Sequence, residues 1–207
     1  MQWLTLSGEG DNYLEVVERF KLLGVIIQSD MKWYDNTDFI CQKGYTRLWM
    51  LRRLKGLGAS EEEMFDVYTK QVRSVLELAV PVWQPALTQN EVKQIERVQR
   101  CALYIILGEQ YLNYEHARNL LNCEDLNERR LKLCENFVKK AAKSHKFKSW
   151  FSESVVVPPS VHNRGNEIKI IPKFKPVPTR TDRYRDSPLP YLTDIINELM
   201  PKMTVKC

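Results

Sequence analysis

Phe39-Ile40-Cys41-Gln42-Lys43-Gly44-Tyr45-Thr46-Arg47-Leu48-Trp49-Met50-Leu51-Arg52-Arg53-Leu54 is the stretch that decides the fold class. Phe39, Ile40, Tyr45, Leu48, Leu51 and Leu54 recur at helical spacing, and Gly56 with Gly58 closes the segment. Working outward, the period is different on the N-terminal side. Leu22 to Ile27 is one apolar run, and its Val25-Ile26-Ile27 is β-branched throughout, which favours a packed strand. Gly24 inside that run predicts a bulge or a close backbone approach. Leu4-Thr5-Leu6 reads as an earlier strand before the turn signal Ser7-Gly8-Glu9-Gly10-Asp11-Asn12.

Towards the C-terminus helical signals continue. Ser60-Glu61-Glu62-Glu63 and Thr88-Gln89-Asn90-Glu91 are capping boxes, in which a hydroxyl and a carboxylate satisfy each other's backbone N–H groups. The first opens a helix with Met64, Val67, Tyr68, Val72, Val75 and Leu76 on one stripe, stopped by Pro81 and Pro85 around a packed corner at Val82-Trp83. The second opens a helix carrying Val92, Ile95, Val98, Ala102, Ile105 and Ile106, ended by Gly108. A short helix over 113–121 follows, and then one capped at Asp125 with Leu131, Cys134, Val138 and Ala141. Seven prolines lie between Pro158 and Pro190, so residues 149–207 are expected to be a Pro-rich, largely irregular tail, with one turn of helix over Ile195–Met200. The expected organisation is mainly α: a small antiparallel β remnant over 1–32, a helical bundle over 33–148, and the extended tail.

The composition narrows the function classes. An apolar fraction of 43% is enough for a core, and a net charge of +5 suits a phosphate-bearing partner. The charge is uneven: eight Lys or Arg lie between Arg129 and Lys148 against one acid, Glu135. Cys41, Cys101, Cys123, Cys134 and Cys207 show no C-x-x-C spacing, and an odd count without a basic, apolar leader predicts a reducing, nuclear or cytoplasmic setting. No stretch approaches the roughly 18–20 apolar residues that cross a bilayer, so no membrane partner is expected.

No residue is predicted to be catalytic. No two aspartates are adjacent, and Tyr34-Asp35-Asn36-Thr37-Asp38 reads as N-capping at the head of a helix. Gly8-Glu9-Gly10 and Gly56-Leu57-Gly58 lack the Lys and Ser/Thr of a phosphate loop. Cys101, His116, Cys123 and Cys134 match no zinc spacing, so no metal site is expected. Basic helix faces remain. They are Lys43 with Arg47, Arg52 and Arg53; Arg97 and Arg100 beside Lys93; and Arg129, Arg130, Lys139, Lys140 and Lys143. Such faces bind phosphates without reading sequence, or are simply solvated.

Laid in order, Val17, Phe20-Lys21-Leu22-Leu23-Gly24-Val25, Trp33 and Leu51-Arg52-Arg53-Leu54 resemble the region that follows the catalytic palm in reverse transcriptases of the non-LTR retrotransposon (LINE-type) family. Tyr68, Arg73-Ser74-Val75-Leu76-Glu77, Pro81-Val82-Trp83, Glu96 to Leu103, Arg129-Arg130 and Ser187 to Leu192 resemble its later landmarks. Three positions depart from the family pattern: Asn36 stands for a usual histidine, Leu78 for a tyrosine and Tyr104 for an arginine. The resemblance implies RNA-directed DNA synthesis by target-primed reverse transcription in the whole polymerase, with magnesium as its cofactor. It places Phe20, Leu22, Leu23 and Gly24 as primer-grip-like residues and the following helices against the backbone of an RNA/DNA template–primer. The catalytic palm and fingers are expected to lie upstream of this segment and to be partners of it, leaving the fragment catalytically incomplete with no cofactor of its own. A helical protein-interaction domain retained by a host, without nucleic-acid binding, is the alternative.

Overall fold

The computed structural model describes residues 3–5, 13–15, 17–151, 168–171, 174, 177–199 and 203–206. The chain is mainly helical, with small antiparallel β elements near the N-terminus followed by helices. Packing divides it into two compact units: Met1–Leu78 with Thr88–Leu121, and Ala79–Leu87 with Asn122–Cys207. No helix among the described residues is long and apolar enough to cross a membrane.

The first unit begins with two hairpins. Strand β1 (Trp3–Thr5) pairs with β2 (Tyr13–Glu15), and β3 (Arg19–Leu22) pairs with β4 (Val25–Gln28), both antiparallel. The turn signal at 7–12 falls outside the described residues. The apolar run Leu22 to Ile27 is therefore not one strand. Leu22 faces Val25, and Leu23 and Gly24, at φ +48° and +90°, form the two-residue connection. Positive φ at both positions is the turn that matches strand twist, and glycine makes it cheap at the second. Pairing is continuous through Arg19↔Gln28, so there is no bulge here. The expected close approach does exist: a Cβ on Gly24 would lie 3.0 Å from Leu78 Cδ2.

Helix α1 (Tyr34–Gly56) carries the expected stripe, burying Ile40, Cys41, Gly44, Leu48 and Leu51. It ends at Leu57 and Gly58, where the φ of +79° at Gly58 lets Ala59 N–H reach back to the Leu54 carbonyl. Its start differs from expectation. Trp33 occupies the cap position with no side-chain cap, and neither Asp35 nor Asp38 serves as one. The buried Gln28 of β4 accepts the Asp35 N–H at 3.2 Å instead, so a neighbouring strand supplies the missing acceptor.

Both capping boxes form. Ser60 opens α2 (Glu61–Val67) and Thr88 opens α5 (Gln89–Leu107), each with the reciprocal Glu63 or Glu91 bond. The first helix does not run evenly. A π-helical turn over Tyr68–Arg73 separates α2 from α3 (Ser74–Leu76). The buried residues explain it: Met64, Tyr68, Val72 and Leu76 are each four apart. On an α-helix a four-residue step overshoots by about 40°, so this stripe would spiral off the core; a wider turn winds it back. Helix α6 (Tyr114–Leu120), capped by the Asn113 side chain, completes the unit. Each buried Leu, Ile or Val along α1 and α5 contributes roughly 1.5–3 kcal/mol of transfer free energy.

The second unit starts at Ala79, held at φ +53°, before α4 (Val80–Trp83). The preceding helix ends at Leu76, before Pro81 is reached, and Pro81 sits instead in the first turn of this one, where no N–H is needed. Trp83 is fully buried. Helix α7 (Leu126–Lys143) is capped by Asp125, which accepts from Asn127 and Glu128. Beyond it come β5 (Ile168–Ile171), α8 (Asp182–Arg185), α9 (Pro188–Leu199) and β6 (Met203–Lys206), with β5 and β6 antiparallel. Helix α9 is 12 residues long, rather than the single turn expected over 195–200. Pro188 and Pro190 fall in its first turn and start it, and Leu192 and Ile196 are buried one turn apart. Met200 and all of 152–167 lie outside the described residues, as does Cys207.

Candidate nucleic-acid interface

In the first unit the β3–β4 hairpin is fastened to the start of α1. Asn36 Oδ1 accepts the Ile26 N–H at 3.1 Å, Gln28 accepts the Asp35 N–H, and Arg19 pairs with Asp35 at 3.2 Å. Strand alternation puts Arg19 and Lys21 on one face of β3 and Phe20 and Leu22 on the other. Lys21 Nζ lies 4.5 Å from the Phe39 ring centroid and Lys43 Nζ 4.4 Å from the same centroid. Two ammonium groups therefore share one aromatic ring, one from the strand and one from the helix. Lys21 was missed as a site residue. Its signal was available in the alternation of Arg19-Phe20-Lys21-Leu22, but Phe39 as the meeting point was not.

The opposite face and the tip of the hairpin are apolar and open. Leu23 is 91% exposed, Phe20 57% and Leu22 49%. Leu23 holds a left-handed conformation that costs a branched residue about 1–2 kcal/mol, with no compensating burial. The structure thus gathers Phe20, Leu22, Leu23 and Gly24 on one hairpin, but the residue of that hairpin it brings beside Lys43 of α1 is Lys21. Arg47, one turn further, donates to the Gln71 carbonyl inside the π-helical turn. Arg52 and Arg53 are exposed near the end of the helix. Lys55 instead caps α5, its Nζ donating to the Ile105 carbonyl at 2.6 Å and to that of Ile106 at 3.3 Å.

On α5, Arg97 is exposed, and Arg100 stacks over the Tyr114 ring at 5.0 Å. Tyr114 belongs to a polar chain in which Tyr68 OH donates to Gln99, Gln99 donates to Tyr114 OH at 2.8 Å, and Tyr114 OH donates to Glu96. Arg100 thus has one face committed to packing. Cys41 is buried beside this helix pair and Cys101 is half-buried.

The second unit treats its cations differently. Arg130 is not a surface cation: it is fully buried, with Nε donating to Gln84 Oε1 at 2.7 Å and Nη2 to Asn127 Oδ1 at 3.5 Å. Gln84 also donates to Asn127 at 3.1 Å. Arg130 sits four residues before Cys134 on the apolar stripe, so helical period, not charge, placed it inside. Arg129 pairs with Glu124 at 3.9 Å and Lys139 with Glu135 at 3.6 Å, while Lys140 and Lys143 are exposed. A groove on this unit is lined by Leu131, Glu135, Tyr191, Asp194, Ile195 and Glu198. Three carboxylates there oppose a phosphate, so only part of α7 presents positive charge. Burial pushes the Cys134 thiol up to about 12, and burial, with Cys134 next, pushes Tyr191 to about 12.

Among the described residues no group of three or more His, Cys, Asp or Glu is placed to hold a metal ion. The two-metal chemistry of a polymerase has no fitting carboxylate set in them, and no step is assigned through magnesium. Compared with family models, with curated proteins and with solved structures, the chain matches none.

Proposed function

We propose that this chain is the primer-grip and thumb portion of a LINE-type reverse transcriptase, holding a template–primer by its backbone and catalytically incomplete by itself. One observation carries the proposal: an apolar hairpin tip is fixed to the head of a basic helix through Lys21, Phe39 and Lys43. A hairpin with an exposed apolar tip at Leu23 and a lysine pair over Phe39 suits a strand terminus, where sugar and base faces are apolar and phosphates carry charge. Lys43 and Arg47 lie one turn apart on this side of α1, Arg52 and Arg53 lie further round the same helix, and acids are absent from it between Phe39 and Gly56. Each phosphate neutralised releases counterions, so affinity falls with salt.

The test is binding of the full chain to an RNA–DNA hybrid over a range of salt concentrations. A linear fall of log affinity with log salt is expected, and Lys43→Ala should flatten its slope by about one unit. Arg130→Met should leave that slope unchanged, since this cation is buried. A salt-independent response sinks the proposal. It would favour the second reading, a protein-interaction domain, for which the exposed Phe20, Leu22 and Leu23 are the specific observation.

A further inference from the structure

Helices α1 and α5 run side by side in the same direction. Gln94 Nε2 donates to Asp38 at 2.6 Å, a Cβ on Gly44 would lie 2.8 Å from Val98, and Lys55 reaches the Ile105 carbonyl. In that register Tyr45 is level with Arg97, Trp49 with Cys101, and Arg52 and Arg53 with Tyr104. The Tyr45 hydroxyl is near enough to α5 for its charges to act on it. Burial raises its pKa, Cys101 and Cys41 add to the rise, and Arg97 pulls it down.

All the large side chains on this rim are open. Tyr45 is 40% exposed, Trp49 58% and Tyr104 59%, and Arg52, Arg53 and Arg97 are exposed with them. Tyr111 packs edge-on against Tyr104 at 5.3 Å, which restrains that ring without covering it. No acid occurs from Phe39 to Gly56 or from Arg97 to Gly108. Rings and guanidinium groups therefore alternate along a face that holds no negative charge. A solvated helix face does not need an exposed tryptophan; aromatic and arginine side chains together also suit a protein contact, but three guanidinium groups with no acid among them favour a polyanion.

We infer that this face binds unpaired, single-stranded nucleic acid, with bases stacked on Trp49 and Tyr104 and phosphates held by Arg52, Arg53 and Arg97. A duplex is the poorer occupant: its bases repeat at about 3.4 Å and turn their faces to each other, so none is free to stack on Trp49 or Tyr104. An extended single strand exposes base faces, and aromatic stacking accepts any base. The inference rests on reading this unit as a nucleic-acid-binding module, but it uses residues other than the hairpin.

The experiment measures binding of the full chain to a labelled oligothymidylate of about 16 nucleotides, the upper end of single-strand site sizes, beside an RNA–DNA hybrid. Trp49→Ala should weaken single-strand binding about fivefold to a hundredfold, in line with about 1–3 kcal/mol per stacked base. Tyr104→Ala should act in the same direction, Trp49→Phe should keep most of the affinity, and hybrid binding should not change. Unaltered single-strand affinity in Trp49→Ala overturns the inference. An equal loss for both ligands also overturns it, since the face would then be a general backbone contact. If the hybrid does not bind while the single strand does and depends on Trp49, the template–primer reading fails and this one stands. If the oligothymidylate does not bind and Trp49→Ala changes only self-association, the face is a protein interface and the inference falls.

Discussion

Gly44 is where the two longest helices of the first unit touch, and no larger residue fits there. An added Cβ would meet Val98 Cγ1 at 2.8 Å and Leu76 Cδ2 at 3.2 Å, both on packed side chains. Overpacking of this kind costs about 1–3 kcal/mol, against roughly 1 kcal/mol gained by replacing a mid-helix glycine with alanine. Gly44→Ala is therefore expected to lower stability by about 1 kcal/mol in urea unfolding. Gly56, at the end of the same helix, has nothing within 4 Å, so Gly56→Ala should be neutral or stabilising. Equal effects at the two positions would show that helix propensity, not close approach, governs them. Neither the glycine at 44 nor the burial of Arg130 is legible in sequence. Both depend on what a different segment places opposite them: Val98 in one case, Gln84 in the other.

For the elements, the firmest expectations were those with local causes. The two capping boxes form because every group involved lies within four residues. They are not equivalent in strength. Ser60 and Glu63 are exposed, whereas Glu91 is buried and its second oxygen also accepts from Thr37 Oγ1 at 3.5 Å. Thr88→Ala should cost about 1–2 kcal/mol and Ser60→Ala about half to 1 kcal/mol, read as shifts in thermal midpoint. The reverse order would mean that the Thr37 contact adds nothing. Elements with non-local causes differ from what the local sequence predicts. The start of α1 is satisfied by Gln28 from a strand, the run Leu22 to Ile27 is folded into a hairpin, and the α2–α3 helix needs a π-helical turn to keep Tyr68 and Leu76 on one face. Proline was ambiguous for a similar reason. Its fixed φ can stop a helix or start one, and Pro81 and Pro188 both lie in the first turn of a helix.

At the level of the whole molecule, alkaline pH acts on both units in the same direction, through the Tyr45 hydroxyl in the first and through Cys134 and Tyr191 in the second. Cys134 and Tyr191 lie in the second unit, and burial raises both to about 12, from 9.0 and 10.0. A raised folded-state value means that the neutral form is favoured by folding. Their contribution is complete below the unfolded values and is lost as pH climbs through about 9 to 12. The fully buried Cys134 steepens the loss by up to about 1.4 kcal/mol per pH unit, and the half-buried Tyr191, screened by solvent, by less. Thermal unfolding followed between pH 8 and pH 11, about the span of these unfolded values, should show the midpoint falling, with a shallower fall in Cys134→Ala. An unchanged slope in that variant would remove the thiol as a cause.

The sequence by itself determined the helical class, the capping boxes, the stop at Gly58 and the absence of adjacent aspartates, because each is set by neighbours along the chain. Only the tertiary structure decided which cations are available to a ligand. Arg130 is buried, Lys55 is committed to the end of α5, and Lys21 is brought beside Lys43 over one ring. A charge is visible in a sequence, but its solvation and its partners depend on residues tens of positions away, and those are fixed only when the helices pack.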